Sequence, residues 1–106
     1  MTALATPVCS EVDESSDRLR RYFSTHDPAL RNEIVNEHAD LAYRLARKFT
    51  GRGEPFEDLL QVAFVGLIQA VDRFDPDAGV RLTSFAVPTI LGELRRYFRD
   101  RAWSMR

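Results

Sequence analysis

Phe85, Thr89, Gly92, Arg96, Arg99 and Trp103 fall on one ridge of a helix when the chain is stepped at about 100° per residue. Pro88 and Arg95 flank that ridge. Val87, Ile90, Leu91, Leu94 and Phe98 fall on the opposite side and form a core stripe. Aromatic rings stack on nucleobases and guanidinium groups hold phosphates. The ridge is therefore equipped for single-stranded nucleic acid. Gly92, midway, leaves room for a backbone to come close. Pro88 deletes one helical hydrogen bond and bends or loosens its turn. The competing reading covers Phe85 and Trp103 with a loop or an N-terminal helix and leaves a solvated basic helix.

A second face lies on the preceding helix, expected from about Phe56 to Phe74. Its buried stripe reads Leu60, Phe64, Leu67, Val71 and Phe74. Asp58, Gln61, Val62, Val65, Gln69 and Asp72 lie opposite. A purely solvated face favours Lys and Glu over valines and glutamines. A mixed apolar and amide face suits a protein partner that needs both packing and hydrogen bonds. An ordinary amphipathic helix with a few exposed valines fits the same pattern. Gly66 in the interior costs roughly 1 kcal/mol relative to Ala, which points to close approach by another helix.

The elements that must position these faces are all helical. A short helix is expected from Ser16 to about Thr25, with Leu19, Tyr22 and Phe23 on one side. Asp27-Pro28 starts the next, by an N-cap and a proline at the first helical position. Leu30, Ile34, Leu41, Leu45 and Phe49 continue it at helical spacing, with His38 as a partly buried packing residue. Gly51 to Pro55 ends it. Asp75-Pro76-Asp77-Ala78-Gly79 is a turn by composition, and Thr83 or Ser84 caps the last helix, which reaches about Ala102. No alternating strand pattern occurs. The expected class is all-α, a compact bundle of three to four helices over residues 16–106 after a disordered segment 1–15.

The bulk numbers fit one small domain of 106 residues, 44% of them hydrophobic. The net charge of −1 hides a gradient. Residues 1–40 carry four arginines against eight acids, and residues 81–106 carry six against two. A phosphate backbone senses that local excess. The lone Cys9 closes no internal disulfide, and no run is long enough to span a membrane, which points to the cytoplasm. No signal-peptide layout, phosphate loop, metal-spaced His/Cys cluster or catalytic triad spacing is present. Neither enzymatic activity nor a cofactor is expected.

Asp58-Leu59-Leu60-Gln61, Gly66-Leu67, Ala70-Val71-Asp72-Arg73-Phe74-Asp75, Gly79 and Phe85-Ala86 stand in a characteristic order and spacing. From Leu41 to Arg106 the chain resembles the second conserved domain of bacterial RNA polymerase sigma factors. The run Phe85-Ala86-Val87-Pro88-Thr89-Ile90-Leu91-Gly92-Glu93-Leu94-Arg95-Arg96 is most similar to the general-stress and sporulation branch, especially its actinobacterial members. The resemblance implies that the helix matching Glu57–Phe74 docks on a coiled coil of the polymerase β′ subunit. Contacts are expected at Asp58, Leu59, Gln61, Val62, Val65 and Gln69. It also implies that the segment matching Val80–Arg99 recognises the promoter −10 element and holds its separated non-template strand. DNA contacts are expected at Val80, Arg81, Leu82, Thr83, Ser84, Phe85, Pro88, Thr89, Gly92, Arg95, Arg96 and Arg99. Val80, Leu82, Ser84 and Phe85 match positions that line a pocket for one flipped base.

The departures from the family pattern carry expectations of their own. Housekeeping members have two adjacent tryptophans where this chain has Pro88 and Thr89, and aromatics where it has Val80 and Leu82. Weaker melting and stronger dependence on a matching promoter follow. The family's other domains are missing, so the chain reads as a fragment of a longer protein. Members of this branch are held by an anti-sigma factor. The alternatives are a helix-turn-helix regulator of duplex DNA and a sigma-like protein-interaction module. Against the first, the turn is long and the ridge carries aromatics where base edges call for Asn, Gln and Ser.

Overall fold

Asp27 and Pro28 begin a helix as their chemistry dictates. In the computed structural model of the chain, Asp27 is extended and its carboxylate accepts the Ala29 N–H at 3.0 Å. Pro28 follows at the start of the helix, where its missing N–H leaves no bond unmade. The structure describes residues 17–104, with side chains as far as residue 101. Among these residues lie five helices and no strand. They are α1 (residues 17–25), α2 (Pro28–Glu37), α3 (Ala39–Arg47), α4 (Phe56–Arg73) and α5 (Leu82–Ser104). The all-α class holds. The expected disorder over residues 1–15, Cys9 and the Trp103 side chain lie outside what is described.

The helix count exceeds the expected three to four because the helix after Asp27 is broken at His38. Its backbone N–H donates to Val35 O at 3.1 Å, a tightened turn, and its Nδ1–H donates to the Ile34 carbonyl at 2.8 Å. The backbone there has φ −107° and ψ 15°. The side chain thus bonds to a carbonyl within the turn where the helical ladder is interrupted. Periodicity could not reveal this, because Ile34 and Leu41 sit two turns apart on either geometry.

α4 is the central element and packs against α2, α3 and α5. Its wholly buried residues are Leu59, Ala63, Leu67 and Ala70, with Val71 at 1% exposure. Leu60 and Phe64, expected in the stripe, are only half-buried. At Gly66, which is also buried, α5 comes close. A Cβ on Gly66 would lie 2.8 Å from Ile90 Cα. The expectation drawn from an interior glycine is met there.

On α5 the buried residues are Leu82, Ala86, Ile90 and Leu94, a line in steps of four. Four residues turn a helix by about 40° beyond a full circle, so this seam winds around α5. The helix also starts before its expected cap. Phe85 N–H donates to Arg81 O at 3.1 Å, and Thr83 and Ser84 sit exposed in the first turn. Burial of Leu82 draws the start forward.

α1 meets the C-terminal end of α4 through side-chain contacts. Leu19 and Tyr22 join the core, whereas Phe23 is exposed, contrary to the expected three-residue stripe. The Tyr22 hydroxyl donates to Asp72 Oδ1 at 2.5 Å, and Arg20 pairs with Asp77 at 3.1 Å. Burial, and then the Asp72 carboxylate, hold the Tyr22 phenol above its usual range.

Candidate nucleic-acid interface and docking face

On α4, Asp58, Gln61 and Val65 are exposed, and Val62 and Gln69 are half-buried beside them. Leu59 must be removed from this face. It is 0% exposed, because it starts the buried line Leu59, Ala63, Leu67. Ile68, 37% exposed, extends the apolar strip begun by Val65. Its spacing of three from Val65 was the available signal. Half-buried Phe64 meets exposed Tyr43 of α3 edge-on at 6.4 Å, and Tyr43 also meets Phe56 at 6.1 Å. Tyr43 was not anticipated. The face ends at Asp72, whose carboxylate is engaged by Tyr22.

The turn between α4 and α5 is anchored at both ends by buried side chains, Phe74 and Leu82. Between them, Asp75 organises the chain. Its side chain accepts the Asp77 N–H at 2.9 Å and its carbonyl accepts the Ala78 N–H at 3.0 Å. Gly79 has φ +82°, a conformation that favours glycine. Val80 then stands 50% exposed beside exposed Arg81. Leu82 is a correction, since at 5% exposure its side chain belongs to the core and lines no open pocket.

Phe85 is half-buried, tilted against Phe74 at 5.8 Å. It lies on the flank of α5 and not on the outermost ridge. Thr89 lies on that flank too, and its hydroxyl donates to Phe85 O at 3.1 Å. The winding seam explains both. The core direction near Phe85 differs from that near Phe98, so one straight core stripe misplaces the first turns. The exposed line is Ser84, Pro88, Gly92 and Arg96, with Arg95 and Arg99 beside it. Pro88 has no N–H to give the Ser84 carbonyl. A Cβ on Gly92 would meet nothing within 4 Å, so that space opens outward. Arg96 pairs with Glu93 at 3.7 Å, and Arg99 lies 3.9 Å from Asp100. Both arginines remain solvent-exposed, and at these distances the pairs are weak.

Further basic groups stand on α3, which packs against α5, and on the segment after it; the arginines of α5 alone did not reveal them. Arg44, Arg47, Lys48 and Arg52 are exposed on α3 and the segment after it. The Arg52 guanidinium lies 4.9 Å above the Phe49 ring. The run Arg47-Lys48 was the signal that could have found them. Among the described residues no three His, Cys, Asp or Glu side chains gather as metal ligands, and no helix is long and apolar enough to cross a membrane. The arrangement offers packing, phosphate binding and ring stacking.

The sequence profile described as Sigma-70 region 2 matches residues 34–104, which include both faces. The chain is 55% identical over 76 residues to RNA polymerase sigma factor SigF of Mycobacterium tuberculosis (strain ATCC 25618 / H37Rv), covering 72% of this chain and 29% of that protein. It is 46% identical over 71 residues to the RNA polymerase sigma-F factor of Kitasatospora aureofaciens, covering 67% and 24%. With the RNA polymerase sigma-B factor of Bacillus subtilis (strain 168) it shares 37% identity over 94 residues, covering 88% and 36%. The match thus spans between 24% and 36% of these three relatives. The profile takes in α4, the turn and α5 without interruption, and the relatives are SigF- and sigma-B-type factors. The chain belongs to the sigma-70 region 2 family, in the branch of the SigF and sigma-B factors.

Proposed function

We propose that this chain is the part of an alternative sigma factor that docks on core RNA polymerase and opens the promoter −10 element. The observation that carries the proposal is the division of the α4–α5 pair. Val65 and Ile68 stand exposed on α4, while Arg95, Arg96 and Arg99 stand exposed on α5. The close Gly66–Ile90 packing ties the two faces to one tightly packed helix pair.

In this mechanism Asp58, Gln61, Val62, Val65 and Gln69 seat the domain on the β′ coiled coil by mixed packing and hydrogen bonding. The arginines then hold phosphates of the non-template strand. One base leaves the stack and lies against the open side of Phe85, near Val80 and Ser84. Unstacking is thereby part of recognition. Thr83, Pro88, Thr89 and Gly92 lie along the path of the strand, and Arg81 adds charge at its start. The chain does this by binding alone, without enzymatic chemistry. Its place of action is the cytoplasm, and an anti-sigma factor competes for it.

The test combines the full chain with core polymerase and a fork-junction DNA bearing an unpaired −10 non-template strand. Retention on core enzyme and preference for that fork over blunt duplex are the expected results. Duplex preference without polymerase identifies a helix-turn-helix regulator. Core binding with no DNA preference identifies an interaction module.

A further inference from the structure

We propose that Glu54 is a positioning residue for the nucleic-acid face. It clamps the last turns of α5 so that Arg95 and Arg99 keep their direction. The proposal rests on the reading above, in which those arginines hold DNA.

Among the described side chains of α5, Leu94 is the last that is wholly buried. Beyond it, the connection between α3 and α4 holds the helix. Phe98 stacks on Phe49 at 5.7 Å with the rings 20° apart, and Arg52 lies 5.9 Å above Phe98. Glu54 closes the clamp. Its Oε1 accepts the Tyr97 hydroxyl at 2.9 Å and lies 3.5 Å from Arg101 Nε. The Glu54 side chain is only 10% exposed. A carboxylate withdrawn that far from water depends on its partners. Gly51 at φ +84° and Gly53 at φ +94° give the connection its sharp path to that position.

The geometry divides α5 into a gripped side and a free side. Tyr97 and Arg101 are four residues apart and share one side of the helix. Arg95 and Arg99 share another, with Arg99 turned about 200° from Tyr97. Gripping the first pair fixes the heading of the second. The sign of the effect is distinctive. Glu54 is an acid near a polyanion site, so electrostatics alone makes its removal strengthen DNA binding. Positioning makes its removal weaken binding.

The experiment uses the full chain, with core polymerase and the −10 fork-junction probe. Glu54→Ala is expected to weaken DNA binding by roughly three- to tenfold, the net scale of one ordinary hydrogen bond, with core affinity unchanged. Amide exchange over residues 98–104 should quicken in the free chain. Glu54→Gln keeps an acceptor for Tyr97 and should recover most of the binding. Tyr97→Phe, which keeps the ring, should shift binding in the same direction by less. Unchanged or tighter DNA binding by Glu54→Ala, or unchanged exchange, overturns the proposal. Arg99→Ala in the same assay separates the two levels. If it also binds normally, DNA contact by this side of α5 is refuted. If it alone loses affinity, only the clamp is refuted.

Discussion

Ile90 Cα occupies the space that a side chain on Gly66 would need. A Cβ there would lie 2.8 Å from that backbone atom and 3.3 Å from Ile90 Cγ1. Backbone cannot swing aside as a flexible side chain can. Gly66→Ala must therefore push α4 and α5 apart. Overpacking costs ~1–3 kcal/mol, whereas alanine returns roughly 1 kcal/mol of helix propensity. The net expectation is a lower urea midpoint. A midpoint that stays level or rises would show that the helices part freely.

Leu59 and Val65 should separate stability from docking. Leu59 is wholly buried and Val65 is 47% exposed. Leu59→Ala should lose ~2–5 kcal/mol in urea unfolding. Val65→Asp should change stability by only about 0.5 kcal/mol yet weaken core-polymerase binding by ~1–3 kcal/mol. A folded Val65→Asp chain that binds core enzyme normally removes α4 from the interface.

The exposed arginines make a salt-dependent prediction. Neutralising Arg95, Arg96 or Arg99 should weaken holoenzyme binding across promoter sequences. Each lost phosphate contact should reduce the salt-dependence slope by roughly one. A triple substitution that keeps both affinity and slope would leave these residues as a solvated face.

Phe85 makes the sharpest prediction. Its ring is half-buried against Phe74 at 5.8 Å, with part of its surface open. Stacking one base is worth ~1–3 kcal/mol, so Phe85→Ala should slow promoter opening by roughly tenfold or more. Phe85→Tyr should be tolerated. The loss of contact with Phe74 is controlled by urea unfolding, and 2-aminopurine at the flipped position reports the event. Normal opening by Phe85→Ala holoenzyme would make Phe85 a packing residue.

Several features were legible in the residues because their chemistry is local. Asp27-Pro28 started a helix, Asp75 to Gly79 formed a turn, and Gly66 marked a close approach. What escaped depended on neighbours. Leu59 and Leu60 are the same residue type at adjacent positions, and only the direction of α5 decides which is buried. On α5, one straight stripe put Phe85 on the outside, because a winding seam cannot be seen until its partner helix is known. The break at His38 goes with a side-chain bond to Ile34 O that periodicity does not encode.

The exposed line of α5 winds as its buried seam does. Ser84, Pro88, Gly92 and Arg96 are spaced by four, so the line turns by about 120° over its three steps. A strand laid along it is wrapped and not merely laid straight. On the proposed reading, nucleotides at its two ends meet the helix from directions about 120° apart, and only those at the first turns lie near Phe85. The handedness of that wrap comes from nothing more than the choice of Leu82, Ala86, Ile90 and Leu94 as the side chains to hide.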